Sequence, residues 1–413
     1  MNKKNCIVAQ SGGPTVAINA SLAGVVKGVR DSGKFDTLYG SVNGILGILN
    51  DNLINLSEIV PDDETLNMLK HTPSMYLGSC RYKLPDADAS PETYETIFKM
   101  FDKLNVGAFF YIGGNDSMDT ALKLSKYAAQ IGSDVRVLGI PKTIDNDLCV
   151  TDHTPGFGSA AKYIAATMLE IAHDTYSYPV KSVTIVEIMG RDAGWLTSAA
   201  ALARTSYNDA PHLIYLPETA FDTDRFIADV KKLLETKHNI IVAVSEGIRD
   251  ENGKYISATS QTVDGFGHSH LSGAGKCLEN ILHAHLGDIK VRSVEFSLSQ
   301  RAAAHTSSAT DLSEAFSLGE HAVELAEAGT TGHMVTIRRI SSEPYEVAIE
   351  SADINGIANE VKHVPREWIN EEGNDVTAPM YEYLKPLIIG EPEITYKDGL
   401  PVYMDISHLT KNN

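Results

Sequence analysis

Cysteine is scarce in this sequence. Its 413 residues include four cysteines, and no two of them have the short spacing that is typical of a metal site. A disulfide-rich scaffold and a cysteine-ligated zinc module are therefore excluded. Such cysteine usage is typical of the reducing cytoplasm, which is the location that we expect. The four residues are Cys6, Cys80, Cys149 and Cys277.

Positive charge is also in short supply. The chain has 35 lysines and arginines against 54 aspartates and glutamates, so its formal net charge is −19. Such a surface repels the phosphates of nucleic acids and of anionic membranes, and neither is expected as a partner. A phosphorylated small molecule could bind only where arginine and lysine are gathered locally.

Long apolar runs are missing as well. No stretch approaches the roughly 20 apolar residues that a transmembrane helix needs. Residues 1–5 lead straight into a short apolar run and contain no signal-peptide core. We therefore expect a soluble intracellular protein.

What the sequence does contain is an alternation of short apolar runs with amphipathic segments. With 43% apolar residues, the chain can fill the cores of two domains. The apolar runs predict buried parallel strands at residues 6–10, 38–42, 107–112, 135–140, 183–188, 212–216, 240–244, 291–298 and 332–339. Helices are predicted at residues 15–30, 91–104, 272–286 and 311–328, with others beginning near 117 and ending near 174.

This alternation predicts an α/β protein. Asp311 and Glu314 have the spacing of a capping box, so the last long helix is expected to begin at Asp311. Beyond Ser341 the chain is rich in proline. We expect a tail there that wraps the rest of the protein and contains some helix.

Polar segments follow several predicted strands, and the 141–147 segment is the densest of them. It contains Lys142, Thr143, Asp145 and Asp147 directly after the strand at 135–140. Glycine-rich or acidic turns also follow the strands at 6–10 and 107–112. Because the carboxyl ends of parallel strands meet at one edge of a sheet, these turns are expected to converge on a single site.

The residue types at these strand ends favour phosphoryl transfer. The transferred group carries charge on several oxygens, so it needs cations and N–H groups around it and a carboxylate that accepts the proton of the attacking hydroxyl. Hydride transfer is disfavoured because no Gly-x-Gly-x-x-Gly follows a strand, and serine hydrolysis because no strand ends in Gly-x-Ser-x-Gly. The histidine pairs 268/270 and 283/285 are interpreted as surface residues. The charged candidates are Arg81, Asp116, Lys142, Asp145, Asp147, Arg191, Glu246 and Arg301.

Six segments, taken in order, resemble the motifs of the phosphofructokinase family. They span residues 11 to 301, and the most specific are Thr143-Ile144-Asp145-Asn146-Asp147 and Met189-Gly190-Arg191. The others are Ser11-Gly12-Gly13, Gly78-Ser79-Cys80-Arg81, Gly113-Gly114-Asn115-Asp116-Ser117, and Glu246 with Gln300-Arg301.

The resemblance implies two Rossmann-like, three-layer domains with the active site in the cleft between them. Residues 1–140, completed by 306–390, would bind the phosphoryl donor. Residues 141–305 would bind fructose 6-phosphate, and residues 391–413 would form a C-terminal tail. A homodimer or homotetramer is expected from the family.

The family also implies roles for individual residues. Asp145 would deprotonate the 1-hydroxyl of fructose 6-phosphate, and Arg191 and Asp147 would complete the catalytic group. The sugar phosphate would be held by Thr143, Ile144, Met189, Gly190, Glu246, Arg292, Gln300 and Arg301, with Arg292 able to reach in from a neighbouring subunit. Diphosphate would be bound by Gly12, Gly13, Arg81, Asp116 and Lys142, and Mg²⁺ by Asn115 and Asp116.

Two of these positions bear on the identity of the donor. The family's ATP-using branch normally has glycine at the positions of Asp116 and Lys142, whereas the diphosphate-using branch has aspartate and lysine there. A carboxylate at Asp116 would repel the α-phosphate of a nucleotide, and Lys142 offers a point charge suited to a small anion. We therefore expect a reversible transfer from diphosphate. An ATP-dependent phosphofructokinase and a non-catalytic regulatory paralogue are the alternatives.

The chain departs from the family pattern at a few positions. Asn115 stands where a metal-ligating aspartate is usual, and Leu298 where a histidine or tyrosine usually touches the sugar phosphate. Pro14 and Ala17 replace small or acidic residues of the first loop. None of these changes removes the expected base.

Overall fold

Two β-sheets form the framework of the protein in a computed structural model, which describes residues 3–257, 273–357 and 360–410. The strands are β1 (Lys4–Gln10), β2 (Phe35–Ser41), β3 (Leu53–Asn55), β4 (Val106–Gly113), β5 (Arg136–Pro141), β6 (Ser182–Ile188), β7 (Leu213–Tyr215), β8 (Asn239–Ser245), β9 (Lys290–Glu295), β10 (His333–Ser342), β11 (Tyr345–Asp353), β12 (Tyr396–Lys397) and β13 (Leu400–Pro401).

Helices connect and cover these strands. They are α1 (Ile18–Asp31), α2 (Ile45–Leu49), α3 (Leu56–Ile59), α4 (Asp63–His71), α5 (Pro91–Lys103), α6 (Asn115–Gln130), α7 (Phe157–Tyr176), α8 (Trp195–Ser198), α9 (Thr223–Leu234), α10 (Ala274–Leu286), α11 (Ser299–Ala302), α12 (Ala309–Ala328), α13 (Ala378–Leu384) and α14 (Ser407–Thr410). Short 3₁₀ turns occupy Ala199–Ala203, Ala304–Thr306, Arg366–Trp368 and Lys385–Ile388. Within the described ranges, no helix combines the length and the apolar composition needed to cross a bilayer.

The first sheet has the strand order β11-β10-β5-β4-β1-β2-β3. Its inner strands are parallel, and antiparallel β3 and β11 lie at the two edges. Residues of β1 alternate between two cores: Cys6 and Val8 pack with α1 and α12, whereas Ile7 and Ala9 pack with α5 and α6. Both faces of this sheet are therefore covered, as the uninterrupted apolar runs predicted.

The second sheet has the order β7-β8-β6-β9, and all its strands are parallel. Val183 and Ile185 of β6 pack with α9 and α10 on one face. Val186 and Ile188 face the other core, which contains α7 and much of the chain from Val364 to Leu387. Two helix-covered parallel arrangements confirm the predicted α/β class. The domain boundaries given above stay a prediction.

The chain beyond residue 339 differs from its prediction. The last strand was expected to end at Arg339, with irregular chain beyond Ser341. Instead β10 continues to Ser342, and β11 returns beside it as an antiparallel edge strand. Most residues of β11 are only half-buried, so the strand lacks the continuous apolar run that identified the inner strands.

Two helix starts also differ from their predictions. The first helix begins at Ile18, not Thr15, because the Thr15 hydroxyl accepts the backbone N–H groups of Ala17 and Ile18 and forms a turn that precedes the helix. The capping box at Asp311 is wrong. Helix α12 begins at Ala309 with Ser308 as its cap, and Asp311 uses its carboxylate elsewhere. The predicted start at Ser272 lies outside the described residues, and α10 is observed from Ala274.

Candidate active site

The 141–147 segment is a tightly anchored turn at the end of β5. The Lys142 N–H donates to the Gly113 carbonyl at 2.9 Å, which continues the pairing of β5 with β4. The Thr143 hydroxyl accepts the Asp145 N–H at 3.1 Å, and Thr143 also pairs with Gly156. The position of Asp145 is therefore fixed by its own loop and by the chain that leads into α7.

Asn146 gives this turn its shape. Its φ is +55°, a left-handed conformation that asparagine tolerates better than most residues. Its amide donates to the Tyr383 hydroxyl at 2.7 Å and accepts the Thr154 N–H at 3.1 Å. The turn between Asp145 and Asp147 is thereby tied to the C-terminal chain.

Two adjoining cavities open at this turn. One, of about 510 Å³, is called the Glu246 cavity and is lined by Gly13, Pro14, Thr15, Arg81, Lys142, Thr143, Ile144, Asp145, Glu187, Ile188, Met189, Arg191, Glu246, Glu295, Ser297, Leu298, Gln300 and Arg301. The other, of about 630 Å³, is called the Asp116 cavity and is lined by Gly12, Gly13, Pro14, Ser79, Cys80, Arg81, Gly114, Asn115, Asp116, Lys142, Thr143, Asp145, Asp147, Arg191, Asp192, Arg301 and Val361. Both include Asp145, Lys142, Arg191, Arg301 and Arg81 in their walls.

The carboxylates at the junction have pKa values displaced upward. Burial raises the pKa of Asp145, and the positive charges of Arg191, Lys142 and Arg301 oppose that shift. Burial, followed by repulsion from Asp145, raises the pKa of Asp147 to about 7. The same two causes raise the pKa of Glu246 to about 8. Carboxylates in such a setting can exchange protons near neutral pH.

Lys142 is the buried cation of the junction. Its side chain is 2% exposed, and its ammonium donates to the Gly13 carbonyl at 2.8 Å. Burial lowers the pKa of Lys142 to about 8, although Asp145 and Asp147 favour its charged form. Gly12 has a φ of +85°, and a Cβ there would lie 3.0 Å from the ammonium, so glycine suits this close approach.

The segment after β6 contributes through its backbone as well as its side chains. Gly190 has a φ of +130°, and its N–H donates to the Glu246 carboxylate at 3.3 Å. A Cβ on Gly190 would lie 2.6 Å from the Ala193 carbonyl, which leaves no room for a side chain. The Met189 N–H donates to the Gln300 amide oxygen at 3.2 Å. Gln300, which lines the Glu246 cavity, thus connects the segment after β6 with the segment after β9.

Arg292 lies outside both cavities of its own chain. Its guanidinium donates to the Thr184 and Thr175 hydroxyls and to Asp174, and it lines neither cavity of its own chain. Gly190 does not line the cavities either, and it acts there only through its bond to Glu246. The remaining predicted residues are Gly12, Gly13, Arg81, Asn115, Asp116, Lys142, Thr143, Ile144, Asp145, Asp147, Met189, Arg191, Glu246, Gln300 and Arg301, and each lines at least one cavity.

Asn115 and Asp116 begin helix α6 in the wall of the Asp116 cavity. The cap position is Gly114, whose lack of a side chain leaves the first turn of N–H groups without a side-chain cap. The side-chain amide of Asn115 donates to the Glu360 carbonyl at 3.2 Å. Its oxygen is buried and has no hydrogen-bond partner in the described chain. An amide oxygen beside a carboxylate is a ligand pair that hard divalent cations accept.

The histidine pairs do not form a metal site in the described chain. His268 and His270 lie outside the described residues. His283 is half-exposed and faces Glu279, and His285 contacts a carbonyl of its own helix. Among described residues, no group of three or more histidines, cysteines, aspartates or glutamates is placed to hold a metal ion.

Some residues that line the cavities were not predicted from the sequence as site residues. Glu187 and Glu295 line the Glu246 cavity, and Glu187 accepts the N–H groups of Gly273 and Gly275. The apolar runs that contain these two residues predicted only that their strands are buried. Val361 lines the Asp116 cavity from a stretch that was predicted to be irregular tail.

The positions that depart from the family pattern lie in or near the same cavities. Leu298 is 58% exposed and lines the Glu246 cavity, and Pro14 lines both cavities. Ala17 is buried at the start of α1 and lines neither.

Comparisons with known proteins agree on one family. The profile described as Phosphofructokinase matches residues 5–326. The pyrophosphate--fructose 6-phosphate 1-phosphotransferase of Halomonas elongata is 41% identical over 97% of this chain and 96% of its own, and the enzyme of the same name from Methylococcus capsulatus is 38% identical over 99% and 97%. The crystal structure of a pyrophosphate-dependent phosphofructokinase from Marinobacter aquaeolei is 38% identical and matches with a TM-score of 0.87 over 97% of this chain and 95% of its own.

Proposed function

Because the chain belongs to the phosphofructokinase family, we propose that it transfers a phosphoryl group from diphosphate to the 1-hydroxyl of fructose 6-phosphate. The products are fructose 1,6-bisphosphate and phosphate, and the reaction is reversible. One observation carries the assignment: Lys142 and Asp145, from a single turn, line both adjoining cavities. A sugar phosphate in the Glu246 cavity and a diphosphate in the Asp116 cavity would meet at these two residues.

Asp145 is the base in this proposal. The proton of the sugar 1-hydroxyl passes to its carboxylate as the new O–P bond forms, and the bridging P–O bond of diphosphate breaks to release phosphate. The raised pKa of Asp145 suits proton acceptance near neutral pH. Arg191 and Arg301, which line both cavities, would stabilise the charge that develops on the transferred group.

A divalent cation, Mg²⁺ in our proposal, would be held by Asn115 and Asp116. The buried, unpartnered oxygen of Asn115 supports this assignment, because an acceptor without a donor is costly unless something binds it. When bound, the cation would offset the negative charge of the diphosphate oxygens. The chain's own cations remain necessary, since Lys142 and Arg81 lie in the same cavity wall.

Diphosphate is preferred over ATP on physical grounds as well as by relatedness. Asp116 lines the donor side of the site, where its charge disfavours the longer polyphosphate of a nucleotide. Lys142 places a compact ammonium at the junction, and a small, highly charged donor gains most from a point charge. The relatives that are about 40% identical are named for pyrophosphate.

A coupled assay tests the proposal. Purified protein is given fructose 6-phosphate with diphosphate or ATP, each with Mg²⁺ and with excess chelator, and fructose 1,6-bisphosphate is measured. We expect turnover with diphosphate and Mg²⁺ only. Turnover with ATP alone would favour the ATP-dependent alternative, and sugar-phosphate binding without turnover from either donor would favour the regulatory paralogue.

We further propose a cytoplasmic homodimer or homotetramer. The free thiols of all four cysteines support a reducing location. Beside Arg292, around the end of α7, the side chains of Tyr176, Tyr178 and Tyr207 are exposed. Exposed aromatic residues are enriched at protein interfaces, so a second subunit could cover them and receive Arg292 in its own site. Sedimentation equilibrium of the wild-type protein tests the assembly, and a monomer at micromolar concentration would contradict it.

A further inference from the structure

A short stretch of the C-terminal chain, residues 360–364, crosses the loops of both sheets and is called the strap. The Glu360 carbonyl accepts the Asn115 amide at 3.2 Å, and the Lys362 N–H donates to the Asp147 carbonyl at 2.8 Å. On the other side, the Trp195 indole N–H donates to the Lys362 carbonyl at 2.8 Å. The strap therefore contacts the proposed metal ligand, the turn at residues 141–147, which is called the catalytic turn, and the chain after β6.

The side chain of Lys362 extends this contact to the inner side of the catalytic turn. Its ammonium donates to the Asp152 carbonyl at 2.7 Å, to the Thr151 carbonyl at 3.3 Å and to the Asn146 amide oxygen at 3.4 Å. It also lies 5.3 Å from the centre of the Trp195 ring. A partly buried ammonium is stable only where oxygens replace its water. Here the segment from Asn146 to Asp152 provides them.

Lys362 thus holds the turn at two points, the backbone of Asp147 and the side chain of Asn146. Asn146 is the left-handed residue that sets the directions of Asp145 and Asp147, so a change in its contacts would displace both carboxylates. Displacement of a reacting group by about 1 Å can cost about 100-fold in rate. Val361, the next residue of the strap, lines the Asp116 cavity itself.

We infer that Lys362 is a positioning residue of the active site and that the strap belongs to the catalytic machinery. This inference rests on the proposed function for its effect on rate, because it assigns the effect to Asp145 and Asp147. A lysine that only anchored the C-terminal chain would alter stability without altering the turn. The ammonium of Lys362 instead contacts Asn146 within the turn and the carbonyls of Thr151 and Asp152 in the chain that follows it.

The test compares three variants. Lys362→Met removes the ammonium at nearly equal length, Lys362→Arg restores a cation, and Lys397→Met changes an exposed lysine of the same C-terminal chain. We expect Lys362→Met to lower kcat about 20-fold or more, with both KM values changed by less than about threefold. Lys362→Arg should recover part of the loss, and Lys397→Met should match the wild type.

Hydrogen exchange measures the mobility of the catalytic turn independently of the reaction rate. Exchange of the peptide 143–150 should accelerate about tenfold in Lys362→Met and remain unchanged in Lys397→Met. Unchanged exchange and kcat in a folded Lys362→Met protein would overturn the inference. If Lys362→Met does not fold, Lys362→Gln replaces it, since this change also removes the ammonium but leaves a polar side chain near the Thr151 and Asp152 carbonyls, and the same two results decide. A wild type inactive with diphosphate would end the proposed function, while the exchange result would still decide the role of Lys362.

Discussion

Asp145 and Asp147 lie two residues apart in one turn and meet different neighbours. Asp145 faces the positive charges of Arg191, Lys142 and Arg301, and these oppose the effect of its burial. Asp147 is affected chiefly by burial and by the negative charge of Asp145. The two carboxyls therefore affect each other's titration, and Asp145 is the member whose ionised form the cations favour.

Replacement of Asp145 tests its role as base. Asp145→Asn keeps the shape of the side chain and removes the proton acceptor, so kcat should fall by about 10³-fold. Binding of fructose 6-phosphate, measured by calorimetry, should change by less than about threefold. Asp134→Asn, at an exposed position on another loop, is the control. Undiminished kcat in Asp145→Asn would remove Asp145 as the base.

Lys142 should determine the alkaline limit of diphosphate use. Its pKa is lowered to about 8 by burial, so the free enzyme loses this positive charge as the pH rises through that value. The kcat/KM for diphosphate should fall accordingly. Lys142→Arg keeps its charge and should move the fall to higher pH, whatever its effect on the maximum.

The comparison of pH profiles is internally controlled. Wild type and Lys142→Arg share the ionisations of the substrate, so a difference between their profiles isolates residue 142. Lys126→Arg, at a lysine remote from both cavities, should reproduce the wild-type profile. An alkaline limb at the same pH in wild type and Lys142→Arg would contradict the assignment.

The site residues were predictable where side chains of the required chemistry lie close together in the sequence. Lys142, Asp145 and Asp147 occur within one short segment after a strand, so they were expected together at the carboxyl end of that strand. Lys362 lies more than 200 residues away in an irregular stretch. Its contact with Asn146 depends on the tertiary structure and could not be predicted from the sequence. Arg292 was expected at the sugar phosphate, but only the structure shows that it bonds Asp174 and Thr175.

At the scale of the elements, α7 begins beside the catalytic turn and depends on another helix for its cap. Asp311 of α12 accepts the N–H groups of Gly156 and Ser159 at 2.9 and 3.0 Å, and also the Ser159 hydroxyl. Gly156 pairs in turn with Thr143. The link runs from α12 through the start of α7 to the turn that carries Asp145.

Loss of this cap should destabilise the protein. Asp311→Ala leaves two buried N–H groups without an acceptor, and the free energy of unfolding should fall by about 3 kcal/mol, measured by urea denaturation. Asp222→Ala is the control, because it removes the solvent-exposed cap of α9 and should cause a smaller loss. An equal or smaller loss in Asp311→Ala would show that the buried cap contributes little.

Most elements were predictable because their apolar runs match the periods of strand and helix. The inner strands of both sheets appear close to their predicted bounds. Two of the errors have different causes: Asp311 was assigned to its own helix although its carboxylate caps α7, and β11 lacked a continuous apolar run. Local pattern cannot distinguish a carboxylate that caps its own helix from one that caps another.

At the scale of the whole molecule, a buried charged network joins α12 to residues 152 and 153, which follow the catalytic turn. His153 is 1% exposed and bonds Asp152 at 2.8 Å and Glu314 at 2.6 Å. Arg339 of β10 bonds Asp152, and the Tyr345 hydroxyl of β11 donates to Glu314. The network thus connects one edge of the first sheet with the approach to the active site.

This network should make stability depend on pH. Burial alone would lower the pKa of His153, but Glu314 and Asp152 outweigh it and raise that pKa to about 9. The folded state therefore holds a proton that the unfolded state releases above about pH 6.5. The contribution of His153 is complete below that pH and is lost as the pH rises through about 9.

Stability curves measure the effect. The free energy of unfolding should fall between about pH 6.5 and 9, with a contribution from His153 on the order of 3 kcal/mol. His153→Gln should flatten that fall, whereas His283→Gln, at a half-exposed histidine, should not. A wild-type curve that is flat over this range would contradict a protonated His153.

The central claim is that two substrates meet at Asp145, and a crystal structure tests it most directly. The protein would be crystallised with fructose 6-phosphate and methylenediphosphonate, a diphosphate analogue that cannot transfer its phosphoryl group. The measurement is the distance between the Asp145 carboxylate and the sugar 1-oxygen, which should be about 3.2 Å or less, with the analogue in the Asp116 cavity. A carboxylate more than about 5 Å from that oxygen would contradict the account.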